Sequence, residues 1–141
     1  MEKEAKPKLS IIIPVYNEEK YLPATLESLF NQINPTGDPL NKKLYQILVI
    51  DNNSQDDTYN IALGFKNNTK LGFDVIREKK KGVVISSRIK GANSIIEEKT
   101  SLHRTEYLAF CDADVIVPPL WVYSILKNFK KTTASALSYN G

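Results

Sequence analysis

The sequence predicts an α/β layer fold built on a mostly parallel sheet with flanking helices. Two observations carry this. Four short runs rich in β-branched and aromatic residues, at 9–15, 44–50, 73–76 and 107–111, are nearly continuous in apolar character, as strands covered on both faces are. Each run is followed by a stretch of helical periodicity, at intervals that suit right-handed crossovers.

Taken in order, the first strand (9–15) leads to Leu22, Leu26, Leu29 and Phe30 at helical spacing, with Pro23 placed for a first turn. The strand at 44–50 precedes a helix over about 58–65, with Ile61, Ala62 and Phe65 on one face. The strand at 73–76 precedes the longest helical pattern, 82–99, whose apolar stripe is read as Ile85, Ile89, Ala92 and Ile96, interrupted by Gly91. After the strand at 107–111, Pro118 and Pro119 introduce a helix that turns Val122, Tyr123, Leu126 and Phe129 inward. The stretch 33–43, with Pro35, Gly37 and Pro39, reads as a surface loop rather than a linker. Residues 135–139 have the composition to open a fifth strand with nothing after it, so the expectation is a single domain over 1–141 that is truncated at its C-terminus.

Composition narrows the function. With 141 residues, 42% hydrophobic and 25% charged, the chain suits one globular core. Nineteen basic against sixteen acidic residues give a net charge of +3, much of it in Lys79, Lys80 and Lys81. That is too mild an excess to indicate nucleic acid. The lone Cys111 lies in an apolar run and reads as a buried, reduced thiol, which fits a reducing compartment. The first apolar stretch is too short for a signal segment or a membrane span. The expected location is therefore cytoplasmic or at the inner face of a membrane, with any peripheral membrane association made through regions outside this chain.

In open parallel sheets, ligands bind beyond the carboxyl ends of the strands. Here those ends carry Pro14, Tyr16, Asn17 and Glu18; Asp51, Asn52, Asn53 and Ser54; Glu78 and the lysines; and Asp112 and Asp114. Two carboxylates one residue apart can present oxygens to a hard divalent cation bridging to a diphosphate; the same pair also suits a solvated turn. Asp51 can accept a hydrogen bond from a base or ribose, or serve as an Asx-turn or cap residue. Asp56, Asp57 and Thr58 read as capping residues. Arg88 and Lys81 suit either phosphates or solvent, and His103 reads as surface.

The strings LSIIIPVYNEEKYLPATLESL, ILVIDNNSQDDT, KGVVISSRIKGA and YLAFCDAD occur here in the order seen in family 2 glycosyltransferases of the GT-A fold, which the chain resembles over almost its whole length. The resemblance implies a Rossmann-like sheet in the order 3-2-1-4 and a nucleotide-diphospho-sugar donor. It further implies a glycan, lipid-linked or other hydroxyl acceptor, and Mn²⁺ or Mg²⁺ as cofactor. By the same resemblance Pro14, Tyr16 and Glu18 form the first nucleotide-contacting turn, Asp51 reads the base, and Arg88 is the arginine of an "ARN" segment near the donor. Asp112 and Asp114 resemble the "DxD" pair, the second binding the metal and the first contacting the ribose or the metal's waters. Asn52 and Ile89 depart from the residues usual at their positions. The family's general base is an acidic residue well beyond the "DxD", and residues 115–141 contain no Asp or Glu.

Other functional classes fit less well. A dinucleotide oxidoreductase or a sugar nucleotidyltransferase needs a glycine-rich first loop, and PVYNEE has no glycine. A phospho-receiver domain needs acidic residues at the end of the first strand, where only Glu18 lies near. The remaining rival is a non-catalytic nucleotide-sugar-binding module.

Overall fold

The structure, a computed structural model, describes residues 6–79 and 84–131. Its elements are β1 (Leu9–Val15), α1 (Leu22–Phe30), β2 (Tyr45–Asp51), α2 (Thr58–Asn67), β3 (Gly72–Arg77), α3 (Val84–Ile96), β4 (Tyr107–Phe110) and α4 (Trp121–Lys131). Lys80, Lys81, the expected helix start at Gly82 and the expected strand at 135–139 lie outside the described residues, as does the side chain of Ile85.

The four described strands pair in parallel in the order β3-β2-β1-β4. Pairing sets Pro14 against Ile50 and Val15 against Asp51, so the tips of β1 and β2 are level. Alternation then divides the core between two faces. Leu9, Ile11, Ile13 and Val15 pack on one face with Leu22, Leu26 and Leu29 of α1, Ala62 of α2, and Val122, Ile125 and Phe129 of α4. Ile12, Leu48 and Ile50 pack on the other with Ile95 of α3. Pro23 sits in the first turn of α1, as its fixed φ favours. The 33–43 loop is held by a bridge between Ile33 and Pro39 and turns at Gly37, whose φ of +87° suits a residue without a Cβ.

Two expectations change. Only β1 and β2 are covered on both faces; β3 and β4 are the outer strands of the described sheet and are partly exposed. The inward face of α3 is Ser87, Gly91, Ser94 and Ile95, whereas Ile89 and Ile96 are exposed. Gly91 explains the rotation: a Cβ there would come within 2.6 Å of Ile12 Cγ2 and 3.2 Å of Ile50 Cγ1. At Gly91 the helix lies so close to the sheet that only a residue without a side chain fits there, while Ile95 packs inward one turn on and Ile89 and Ile96 face out. Among the described residues no helix is long and apolar enough to cross a membrane.

Candidate functional site

Strand order places the site. The crossovers from β1 to β2 to β3 run through α1 and α2 on one face, while the return to β4 runs through α3 on the other. The direction of winding reverses between β1 and β4, which opens a crevice beyond their carboxyl ends. Pro14, Tyr16, Glu18, Asp51, Asp112 and Asp114 all lie on this one rim.

The turn after β1 is tied to the turn after β2. Asn17 adopts φ +51°, which asparagine tolerates, and its N–H donates to Ser54 Oγ at 2.9 Å. Its Oδ1 accepts from the Gln55 N–H at 2.8 Å. Glu18 N–H donates to Thr58 Oγ1 at 2.8 Å, and Asn52 N–H donates to the Val15 carbonyl at 2.8 Å. These bonds fix the two tips as one unit, with Tyr16 standing out 44% exposed.

Asp51 is fully buried beneath that unit. Ser54 Oγ donates to its Oδ1 at 2.5 Å, Ser54 N–H reaches Oδ2 at 3.3 Å, and Arg77 Nε lies 3.5 Å from Oδ2. Arg77 also donates to the Ser54 carbonyl at 3.2 Å and covers the Tyr59 ring at 4.7 Å. A buried carboxylate needs such partners, and both oxygens of Asp51 are engaged by them.

The turn after β4 is held from α1. Cys111 N–H still donates to Ile12 O at 3.0 Å, continuing the sheet register for one residue. Ala113 is buried and its carbonyl accepts from Thr25 Oγ1 at 2.8 Å, while Ser28 Oγ accepts from the Val117 N–H at 3.1 Å. With Ala113 pinned inward, Asp112 and Asp114 on either side of it are exposed. Arg88 Nη2 lies 3.2 Å from Asp112 Oδ1, and its guanidinium lies 5.6 Å from the centre of the Phe110 ring. Burial raises the Glu18 carboxyl above its ordinary range, and the charges of Asp114, Asp56 and Asp112 add to this. Burial also pushes the Cys111 thiol up to about 12, with Asp112 and Asp114 adding to it, so the thiol stays protonated at neutral pH.

The carboxylates from β1, β2 and β4 thus share one electrostatic field. Such a field favours a cation. Asp112 is already partnered by Arg88, which leaves Asp114 as the exposed carboxylate for an ion. Among the described residues no three His, Cys, Asp or Glu side chains are grouped to hold an ion alone. Oxygen donors from one or two carboxylates fit Mg²⁺ or Mn²⁺ when phosphate and water complete the shell. The family resemblance set Arg88 near the donor, and strand-end position named Ser54 without its bond to Asp51; Arg77 and Thr25 were not singled out. Ser54 had a readable signal, three residues beyond a strand-end aspartate; Arg77 and Thr25 act on partners 26 and 88 positions away and had none.

The model of glycosyl transferase family 2 matches residues 10–140. Mouse dolichyl-phosphate beta-glucosyltransferase is 30% identical over 106 residues, which are 75% of this chain and 31% of the mouse protein. The crystal structure of residues 1–349 of S. aureus TarS superposes with a TM-score of 0.69 at 25% identity, over 88% of this chain and 32% of that one. The same TarS fragment has been solved with UDP-GlcNAc. A Pyrobaculum calidifontis mannosyltransferase, solved with GDP-Man and Mn²⁺, superposes with a TM-score of 0.64 at 21% identity, over 86% of this chain and 32% of that one. The chain therefore spans about a third of the length of each of these proteins.

Proposed function

The chain belongs to glycosyl transferase family 2, and from that premise we propose that it holds the donor and the divalent cation of a metal-dependent, inverting sugar transfer. The observation that carries this reading is the exposed Asp112 and Asp114 pair, set on the same rim as the β1 turn and felt electrostatically by Glu18. The donor class is a nucleotide-diphospho-sugar. Pro14, Tyr16 and Glu18 contact the nucleotide, and Asp51 reads the base by exchanging one of its present partners. Arg88 faces the diphosphate, Asp112 orients the ribose or metal-bound water, and Asp114 ligates Mn²⁺ or Mg²⁺. When bound, the cation supplies charge neutralisation to the departing diphosphate.

The acceptor hydroxyl, on a glycan, a lipid-linked sugar or another carrier, must lose its proton to a carboxylate before attacking the anomeric carbon. Residues 115–141 offer no acid for this step, so the base is assigned to residues outside this chain. Peripheral membrane association, at the inner face of a membrane, likewise belongs to such regions.

Calorimetry of the 141-residue chain with UDP and with GDP tests the donor site. Binding of at least one should require Mn²⁺ and should fall at least tenfold on Asp114→Ala. Nucleotide binding that is indifferent to both Mn²⁺ and Asp114 would defeat the metal assignment; no binding under any condition would favour an inert module.

A further inference from the structure

At the edge of the sheet opposite the carboxyl rim, a cavity of about 330 Å³ lies where the chain enters the strands. Its walls carry Lys42 and Lys43 from the turn into β2, Lys70 from the turn into β3, and His103 from the loop into β4. Among the described residues none of these four side chains has a hydrogen-bond or ion-pair partner. Lysines elsewhere do: Lys66 pairs with Asp74, Lys90 with Glu78 and Lys99 with Glu97. Like charges gathered around one cavity repel one another, so an anion placed among them is stabilised.

The floor of this cavity is fixed. The loop that follows α3 crosses beneath the starts of three strands and is tied to each. At β3, Ser101 N–H and Oγ donate to Asp74 Oδ2 at 3.1 and 3.0 Å. At β2, Gln46 is only 1% exposed; its Oε1 accepts from the His103 N–H at 3.1 Å and its Nε2 donates to the His103 carbonyl at 2.6 Å. At β1, the Ser10 and Thr105 hydroxyls lie 2.7 Å apart. Asp74 is the carboxylate that reaches this loop, and Lys66 and Ser101 already hold it, so it does not neutralise the cavity's lysines. Strands of six or seven residues, at about 3.3 Å each, set the cavity roughly 20 Å from the carboxyl rim.

We propose that this cavity is a second anion site, independent of any metal ion, whose ligand is a soluble small molecule with two phosphate groups, a diphosphate or a bisphosphate. Two such groups can engage the turn into β2 and the turn into β3 together, and lysines serve phosphate as point charges that need no fixed geometry. The His103 ring adds a further nitrogen donor. A volume of about 330 Å³ is at the lower end of the range for small-molecule sites, which favours such a ligand over a polymer. The site stands apart from the donor-site reading, since the acidic carboxyl rim repels the same ligand unless a cation intervenes.

Calorimetry of the 141-residue chain with inorganic pyrophosphate in EDTA is the test, because without a cation the acidic rim should not hold a diphosphate. Wild type should bind pyrophosphate, and Lys43→Gln/Lys70→Gln should weaken it about fivefold or more. The charge-matched pair Lys20→Gln/Lys127→Gln, away from the cavity, should change affinity by less than about twofold, as should Asp114→Ala. Phosphatidylglycerol vesicles form a second arm, with which the chain should not cosediment through these lysines. Absence of pyrophosphate binding, an equal loss in the Lys20→Gln/Lys127→Gln pair, or a loss in Asp114→Ala would each overturn the assignment. So would cosedimentation that Lys43→Gln/Lys70→Gln abolishes, which would give the cavity to a lipid headgroup. The donor-site reading is tested in Mn²⁺ and stands or falls separately.

Discussion

Glu18 shows how single residues on this rim depend on one another. Its carboxyl is raised above the ordinary value of 4.5 first by burial and then by Asp114, Asp56 and Asp112. Because the folded chain holds this proton more tightly than the unfolded chain does, the contribution of Glu18 to stability declines as pH rises from about 4.5 through the raised value. Removing one neighbouring charge should relieve the effect. In Asp114→Asn, the NMR titration midpoint of the Glu18 carboxyl carbon should move down towards 4.5, with wild type as the reference; an unmoved midpoint would mean that the two groups do not share a field. Thr25 acts at the same scale by other means, since its hydroxyl holds the Ala113 carbonyl and thereby turns the two flanking aspartates outward.

At the scale of elements, α3 is fixed by closeness rather than by apolar bulk. A helix that lies where a Cβ at Gly91 would meet Ile12 at 2.6 Å has no room for a side chain there. Alanine at position 91 would gain about 1 kcal/mol of helix propensity but would force Ile12 and Ile50 aside, an overpacking cost of about 1–3 kcal/mol. Gly91→Ala should therefore lower stability by a net of up to about 2 kcal/mol, seen as a lower denaturation midpoint, and should displace Ser87 and Arg88 along with the helix. Chemical denaturation measures the first effect, and an unchanged or higher midpoint would show that α3 packs less closely than described. The joined turns after β1 and β2 are the second such unit: Ser54 accepts from Asn17 and donates to Asp51, so one hydroxyl couples two strand ends.

Among the described residues, carboxylates gather at the carboxyl ends of the strands, where Arg77 and Arg88 pair with two of them. The carboxyl rim carries Glu18, Asp51, Asp56, Asp112 and Asp114, whereas a cavity of about 330 Å³ at the opposite edge is lined by Lys42, Lys43, Lys70 and His103. An acidic rim repels a diphosphate unless a cation intervenes, which is the electrostatic reason for expecting metal dependence. With the base outside this chain, as proposed, turnover should fail, since a general base is worth roughly 10²- to 10⁴-fold in rate. Mixed with UDP-GlcNAc or GDP-Man, Mn²⁺ and hydroxyl acceptors, the 141-residue chain should release no more nucleoside diphosphate than buffer does. Acceptor-dependent release would place a working base among the residues present.

Periodicity and strand-end position made much of this legible before any coordinates. β1, α1, α2 and α4 fall where apolar spacing put them, and Asp51, Asp112 and Asp114 lie at the strand ends where the apolar runs stop. Of the expected stripe of α3, Ala92 packs on the core but Ile89 and Ile96 are exposed, because contact distance at the turn nearest the sheet favours Gly91 and shifts the inward isoleucine to Ile95. By itself the sequence determined the order of strands and helices and which polar residues follow each strand, because these depend on neighbours along the chain. Only the tertiary structure decided that Asp51 is enclosed by Ser54 and Arg77 and that Asp112 meets Arg88. Each of these is a matter of distance between groups on different elements or of a group's enclosure by them, and that is set only when the layers close.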